Sequence, residues 1–337
     1  MKKANYLWIV ALVVGTVLIL MRHNRTDLSF KQETGLIFGT IYNVTYEYER
    51  SLKGEIEDEL HRFDGSLSMF NDTSTISRIN KNQDIVPDSF FLNCFQRAMI
   101  ISKETNGAFD ITVAPLVNAW GFGFKQGIYP DSTQVDSLMQ LVGYHKIALT
   151  NEGKIVKQDP RMTLDCSAIA KGYAVDVIAQ LFRSHGVRNF MVDIGGEVKV
   201  EGHNPNGRNW RVGIIKPTDD SLSVNQQQQT VLALTNMGIA TSGNYRNYYY
   251  HDGKKYAHTI EPRTGYPVQH SILSATVLAS DCMSADAYAT SFMVMGLGEA
   301  VKFVTAHPGI EVCLIYADEQ GNFQTYFSSG MKDFIDD

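Results

Sequence analysis

The sequence is poor in cysteine, has no surplus of basic residues and carries a single long apolar run. Its four cysteines lie far apart and include no CxxC pair: Cys94, Cys166, Cys282 and Cys313. That spacing matches neither a zinc site nor a redox motif. Because a chain of 337 residues can build a core without cross-links, we predict buried free thiols rather than two disulfides.

Acidic residues outnumber basic ones, with 36 Asp and Glu against 30 Lys and Arg and a formal net charge of −6. Nucleic-acid-binding proteins usually carry a basic surface, so no nucleic-acid partner is predicted. The composition, 44% hydrophobic and 20% charged, is typical of a packed globular protein and excludes wholesale disorder or a fibrous repeat.

The long apolar run lies at the N-terminus, where Tyr6–Met21 carries no charged residue. It exceeds a typical signal-peptide core but falls short of the about 20 apolar residues of a full transmembrane helix. No cysteine follows it for lipid attachment, and large residues stand where a cleavage site needs small ones. We predict that residues 1–25 form an uncleaved signal anchor, in preference to a cleaved signal peptide, with the body exported.

Strand and helix patterns are mixed along the rest of the chain, without regular alternation. Apolar positions at helical spacing predict helices over 51–63, 90–104, 133–142, 168–185, 284–295 and 298–306. Strands are predicted within 30–49, 147–156, 191–202, 210–215, 230–235, 239–250 and 311–317. Residues 65–80 and 221–229 are predicted to be loops. The pattern indicates an α+β fold of mixed, largely antiparallel sheets packed with helices.

Two glycines stand between two carboxylates in Asp193-Ile-Gly-Gly-Glu197, directly after an apolar run. Glycines at a strand end let a backbone approach a ligand closely. The more common interpretation is a tight turn between two strands. The segment is not GxGxxG and leads into no helix, so it is not a dinucleotide-binding fingerprint.

Asp165 stands at the predicted start of the helix over 168–185, where its carboxylate favours a capping role. A helix start also offers N–H groups to an anion. Lys171 would add a positive charge there, although a lysine in the first turns of a helix is usually only solvated.

Asp286 and Thr290 are four residues apart in the helix over 284–295 and therefore share a face. Carboxylate and hydroxyl oxygens suit Mg²⁺, which usually takes one or two protein carboxylates together with phosphate oxygens and water. A metal site and a capped helix start with a solvated aspartate are both compatible with this spacing.

His258 precedes a segment fixed by two prolines and a glycine, His258-Thr-Ile-Glu-Pro-Arg-Thr-Gly-Tyr-Pro267. Such a segment forms a rigid turn, which would hold the imidazole in a defined place. Histidine is the natural general base near neutral pH, whereas a lone histidine more often has a structural role.

In this order, the four segments resemble the ApbE family of flavin transferases. The similarity runs from about Phe38 to Tyr316 and includes Ser68-Met-Phe-Asn, Ser77-Arg-Ile-Asn80 and Thr105-Asn-Gly-Ala-Phe-Asp110-Ile-Thr-Val-Ala-Pro-Leu. The resemblance implies an ApbE-like, T-fold-like flavin transferase domain over residues 30–337, with FAD between sheet and helices and Mg²⁺ at its diphosphate.

The resemblance also assigns roles by position. It implies that Asp286, Thr290 and the backbone carbonyl of Ala168 bind Mg²⁺, and that His258 and Asp286 are catalytic, with His258 as the base. The FAD contacts it implies are Phe38, Phe70, Ala108, Phe109, Asp110, Ile111, Asp165, Lys171 and Ile260.

The reaction implied by the family moves FMN from FAD to a Ser or Thr hydroxyl of a target flavoprotein and releases AMP. The acceptors expected are flavoprotein subunits of membrane redox complexes, of the NADH:quinone reductase or Rnf type. The body would then face the periplasmic side of a bacterial inner membrane. One alternative is a Mg²⁺-dependent FAD diphosphatase, which would use the same metal and base. Another is a non-catalytic, membrane-tethered FAD-binding protein, against which the presence of both Asp286 and His258 argues.

Overall fold

A computed structural model describes residues 28–122, 129–215, 228–244, 248–251, 254–257 and 259–336. The predicted anchor over residues 1–25 and most of the predicted loop over 221–229 lie outside these ranges. In the part of the chain that the structure describes, no helix combines the length and the apolar character that crossing a membrane requires.

An eight-stranded antiparallel sheet is the centre of the fold. Its order is β1-β2-β5-β6-β9-β12-β13-β14, and three two-stranded sheets join β3 to β4, β7 to β8 and β10 to β11. The strands are β1 Ser29–Ile37, β2 Thr40–Tyr48, β3 Ile147–Leu149, β4 Ile155–Lys157, β5 Phe190–Ile194, β6 Glu197–Glu201, β7 Trp210–Ile215, β8 Gln228–Leu234, β9 Met237–Gly243, β10 Tyr248–His251, β11 Lys254–Ala257, β12 Ile272–Ala279, β13 Glu311–Ala317 and β14 Phe323–Phe327.

Helices cover one face of the large sheet. Their bounds are α1 Lys53–Leu67, α2 Thr75–Asn80, α3 Ser89–Glu104, α4 Ala114–Ala119, α5 Ser132–Met139, α6 Ser167–Ser184, α7 Cys282–Met295 and α8 Leu297–Ala306. The β7–β8 hairpin covers the other face with Trp210 and Ile214. Successive strand residues point to opposite faces, so in β12 Val277 packs under the helices and Leu278 under the hairpin.

The α+β fold with antiparallel sheets is confirmed, and each of the predicted helices has a counterpart. The predicted loop over 65–80 is wrong in part, because α1 continues to Leu67 and residues Thr75–Asn80 form α2. Ser74 caps this helix by accepting the Ser77 N–H at 3.2 Å. Six residues are too few for a periodic apolar pattern to be recognised in the sequence.

The strand prediction differs from the structure in two further places, one strand that is divided and one that is missing. The strand predicted over 239–250 is divided, since β9 ends at Gly243 and pairs with β12, while β10 begins at Tyr248 and pairs with β11. The strand β12 itself escaped prediction because seven of its eight residues are buried. A strand buried on both faces lacks the polar alternation that marks a half-exposed one.

The thiol prediction is confirmed. Cys94, Cys166, Cys282 and Cys313 are all free and all buried. Burial raises the pKa of the Cys313 thiol to about 12, so this side chain stays protonated and unreactive in the folded protein.

Candidate functional site

The helices α6 and α7 touch at Gly172, and this contact sets the position of Asp286. The Gly172 N–H donates to the Asp286 Oδ2 at 3.0 Å. A Cβ atom at residue 172 would overlap the Cys282 carbonyl oxygen and lie 2.7 Å from the Asp286 Cβ. The absence of a side chain therefore allows the two backbones to approach until the carboxylate reaches the first turns of α6.

Asp286 is not a helix cap. The cap of α7 is Asp281, whose Oδ1 accepts the Ser284 N–H at 2.8 Å. Asp286 lies in the second turn and is only 4% exposed. The capping interpretation of Asp286 is therefore wrong, and its burial against another helix needs a different explanation.

The three predicted metal ligands lie around this contact. Ala168 is one turn before Gly172 in α6, and Thr290 is one turn after Asp286 in α7. The Thr290 hydroxyl lies 3.1 Å from the Ser242 hydroxyl of β9. In the described ranges no three His, Cys, Asp or Glu side chains converge as a metal site. The predicted ligands are one carboxylate, one hydroxyl and one carbonyl, a set of hard oxygen donors of the kind that Mg²⁺ prefers, and their role as a metal site remains a prediction.

Lys171 lies beside this set and is paired with Glu197. Its Nζ is 2.5 Å from the Glu197 Oε1, and the lysine side chain is 38% exposed whereas that of the glutamate is 4% exposed. Glu197 begins β6, after a turn in which Gly195 and Gly196 have φ values of +66° and +102°. The tight-turn interpretation of Asp193–Glu197 is therefore confirmed, and the same turn delivers a carboxylate to the site.

Burial and mutual repulsion shift the acidic groups of this cluster. Burial raises the pKa of Asp286 despite the nearby Lys171 ammonium and the Gly172 N–H. Burial, with the Asp286 charge, also raises the pKa of Glu197. Burial lowers the pKa of Lys171, but Glu197 and Asp286 outweigh it and the net shift is upward. Both raised pKa values mean that the buried cluster disfavours a second negative charge beside the single ammonium.

A second group of predicted residues meets at the start of α6. The Asp165 N–H donates to the Ile111 carbonyl at 2.7 Å, and the Asp165 Oδ1 accepts the Ser167 N–H at 2.8 Å. The N-cap position predicted for Asp165 is wrong by one residue, because the N-cap of α6 is Cys166; the Asp165 carboxylate nevertheless satisfies the first N–H of the helix. The Asn80 side chain binds both backbone groups of Leu164, the residue before Asp165. Its Nδ2 donates to the Leu164 carbonyl at 2.9 Å, and its Oδ1 accepts the Leu164 N–H at 2.7 Å.

The segment 108–111 forms a buried wall. Each of its residues is at most 7% exposed: Ala108, Phe109, Asp110 and Ile111. The Asp110 Oδ1 accepts from the Thr112 N–H at 2.8 Å and its Oδ2 from the Tyr144 N–H at 2.7 Å. Its carboxylate therefore orders two loops, and the predicted FAD contact of this segment remains a prediction.

His258 lies outside the described residues, but the turn after it is well defined. Ile260 pairs with Pro267 in an isolated bridge and packs in a small core with Leu116 and Trp120. The Trp120 indole N–H donates to the Gly265 carbonyl at 2.8 Å. The rigid turn predicted from the prolines is thus present from residue 259 onward.

The two aromatic residues predicted to contact FAD differ in exposure. Phe38 sits in the β1–β2 turn with φ +52°, and its ring centroid is 5.7 Å from that of Phe63. Phe70 follows α1 and is 89% exposed. Gly172 is a contact of the site that sequence reasoning missed. The sequence offered only one indication of it, its position next to Lys171.

Replacing Gly172 by alanine is expected to separate α6 from α7. The added methyl would meet backbone, which cannot rotate away, and overpacking of this kind costs about 1–3 kcal/mol of stability. We expect a lower melting temperature by circular dichroism and a weaker Mg²⁺ response. Gly65→Ala in α1 is the matched control because a Cβ there meets nothing within 4 Å, so it should be neutral or stabilising by up to about 1 kcal/mol. Equal effects of both substitutions would contradict the close-approach argument.

The amino-acid sequence is similar to those of known proteins. The sequence model of the ApbE family matches residues 38–314. A Vibrio cholerae protein named FAD:protein FMN transferase is 36% identical over 314 residues, covering 90% of this chain and 92% of that protein. The protein of the same name from Escherichia coli K12 is 36% identical over 304 residues, covering 88% and 85%.

Solved structures share the fold. The flavin transferase ApbE from Vibrio cholerae superposes with a TM-score of 0.81 at 33% identity, covering 91% of this chain and 100% of that one. The apo flavinyl transferase ApbE from Pseudomonas stutzeri gives the same TM-score at 29% identity, covering 91% and 97%.

Proposed function

The chain belongs to the ApbE family and is an FAD:protein FMN transferase, and we propose that it performs this transfer with Mg²⁺ held by Asp286, Thr290 and the Ala168 carbonyl. The observation that carries this proposal is the contact at Gly172, which places a buried carboxylate against the first turns of α6. These oxygen donors fit a hard divalent cation. When bound, Mg²⁺ would neutralise diphosphate charge and stabilise the AMP leaving group.

The protein groups around the donor set divide the remaining work. We propose that the Lys171 ammonium, on the same helix, contacts a diphosphate oxygen of FAD, and that the segment 108–111 and Asp165 form one wall of the FAD site. The acceptor Ser or Thr oxygen bonds to the phosphorus of the FMN half, and the bond from that phosphorus to the bridging oxygen breaks. AMP leaves with the bridging oxygen, and the hydroxyl proton passes to His258.

The test is one incubation of the full-length protein in detergent with FAD, Mg²⁺ and a candidate acceptor. The candidates are flavoprotein subunits of membrane redox complexes, such as those of NADH:quinone reductase or Rnf type. We expect the intact mass of the acceptor to rise by one FMN and AMP to appear in equal amount. Free FMN with an unmodified acceptor would instead identify an FAD diphosphatase, and retained FAD without AMP would identify a binding protein.

We also propose that the protein is anchored at the inner membrane with its body on the extracytoplasmic side. The support is the uncharged run Tyr6–Met21 with no acylatable cysteine after it. Fractionation of cells should find the full-length protein in the membrane, and added protease should digest the body in spheroplasts but not in intact cells. Full-length protein in the cytoplasmic fraction would contradict this topology.

A further inference from the structure

Glu197 is a buried carboxylate with an incomplete set of hydrogen bonds. It is 3% exposed, and its Oε1 pairs with the Lys171 Nζ at 2.5 Å. Its Oε2 is buried and has no hydrogen-bond partner among the described residues. A buried charge with an unpaired oxygen costs free energy and is weak support for a fold. Stability therefore does not explain this glutamate.

The two members of the Lys171–Glu197 ion pair differ in exposure, and this difference restricts the position of the lysine. The Glu197 side chain is buried at the first residue of β6, whereas the Lys171 side chain is 38% exposed on α6. A lysine carries its charge on a flexible stem and adopts many rotamers when it is free. Pairing with a buried partner restricts the ammonium to one place, one residue from Gly172 and within the field of Asp286.

We propose that Glu197 is a positioning residue that fixes the Lys171 ammonium beside Asp286 for contact with the diphosphate of FAD. This inference rests on the function proposed above. Glu197 acts through Lys171 and does not itself touch the substrate. Its negative charge opposes an anionic ligand, so its contribution is to alignment in the transfer step and not to affinity for FAD.

The substitution Glu197→Gln separates alignment from affinity. It keeps the size of the side chain and an acceptor oxygen but removes the charge that holds the ammonium. A small misplacement of a reacting or charge-stabilising group costs on the order of 10- to 100-fold in rate. We expect kcat for FMN transfer to fall within that range, whereas KM for FAD stays constant or decreases because a repulsive charge is gone.

A purely structural role of Glu197 predicts that Glu197→Gln lowers the melting temperature and leaves kcat per folded molecule unchanged. Under the positioning role the melting temperature is expected to change little, because the Lys171 side chain is 38% exposed and its ammonium can be solvated once the partner charge is removed. The control is Glu201→Gln at the other end of β6, which removes an ion pair with Arg183 of α6 and should leave kcat unchanged. A melting temperature lowered by Glu197→Gln together with an unchanged kcat per folded molecule would overturn the proposal.

Two further measurements test the route through Lys171. In a Lys171→Met background, Glu197→Gln should cause no additional loss of kcat, because no ammonium is left to position. The Mg²⁺ concentration for half-maximal rate should not change in Glu197→Gln alone. Fully additive losses, or a large rise in the Mg²⁺ requirement, would show that Glu197 acts on the substrate or the metal directly.

The same assays separate this inference from the proposed function. If the wild-type protein releases AMP without modifying the acceptor, the transferase proposal fails, and the effect of Glu197→Gln is then read on AMP release. An unchanged rate of AMP release in Glu197→Gln would overturn the positioning role in that case as well.

Discussion

His258→Ala is expected to slow FMN transfer by about 10²- to 10⁴-fold, the usual contribution of a general base. A Ser or Thr hydroxyl is a poor nucleophile at neutral pH and needs a group that takes its proton. Binding of FAD and Mg²⁺ should stay close to that of the wild-type protein, since neither depends on the imidazole. The measurement is single-turnover transfer to an acceptor, followed as in-gel flavin fluorescence, with FAD affinity measured separately.

The control for this prediction is His203→Ala. The His203 side chain is exposed, and its Nδ1 lies 3.0 Å from the carbonyl oxygen of the neighbouring Asn204, so loss of the imidazole should not change transfer. Undiminished transfer by His258→Ala would remove His258 from the mechanism. Lost FAD binding would instead make it a ligand contact.

The same base should make transfer depend on pH. An ordinary imidazole has a pKa of about 6.5 and accepts a proton only in its neutral form. The rate is therefore expected to fall as the pH drops below about 6. The slow residual rate of His258→Ala should lack this step, and a step that persists in the variant would assign it to another group.

Asp286→Asn is expected to raise the Mg²⁺ concentration needed for activity by more than about 100-fold. Changes next to a metal ligand already cost about 10- to 100-fold in affinity, and Asp286 would supply the charged ligand. The fold should survive, because the carboxylate is buried with a raised pKa and its neutral replacement removes an unfavourable charge. Calorimetric titration with Mg²⁺ measures the loss directly, without requiring turnover.

Asp88→Asn is the matched control for Asp286→Asn. Asp88 caps α3 by accepting the Phe91 N–H at 3.0 Å, and asparagine caps a helix about as well as aspartate. Its Mg²⁺ titration should match that of the wild-type protein. Normal turnover of Asp286→Asn at low Mg²⁺ would show that Asp286 has no part in holding the metal.

The local parts of the fold were accessible from the sequence, whereas the contacts between distant segments were not. Apolar spacing and the closing Gly186 predict the helix over 168–185, and α6 spans Ser167–Ser184. Spacing alone predicts that Asp286 and Thr290 share one helix face, and both lie on α7. Local periodicity is enough for such assignments because it reflects which face is buried.

The pairing of Lys171 with Glu197 had no such local signal. The lysine belongs to a helix and the glutamate to a strand end, and only the packed fold brings them together. The same holds for Gly172, because nothing in the sequence of α6 indicates its contact with the Cys282 carbonyl of α7. Sequence spacing predicts the neighbours of a residue along its own element but not across two elements.

In the compartment proposed for this protein, the rate of folding determines how long the four cysteine thiols are exposed to oxidation before they are buried. Burial suppresses the thiolates of Cys282 and Cys313 by raising their pKa, and a hydrogen bond with Cys94 together with burial raises the pKa of Cys166. In the unfolded chain an ordinary thiol has a pKa of about 8.5 and oxidises far more readily. Outside the cytoplasm, where disulfides form, burial in the folded core therefore keeps these thiols from being oxidised. A chain that folds slowly is exposed to mispaired disulfides.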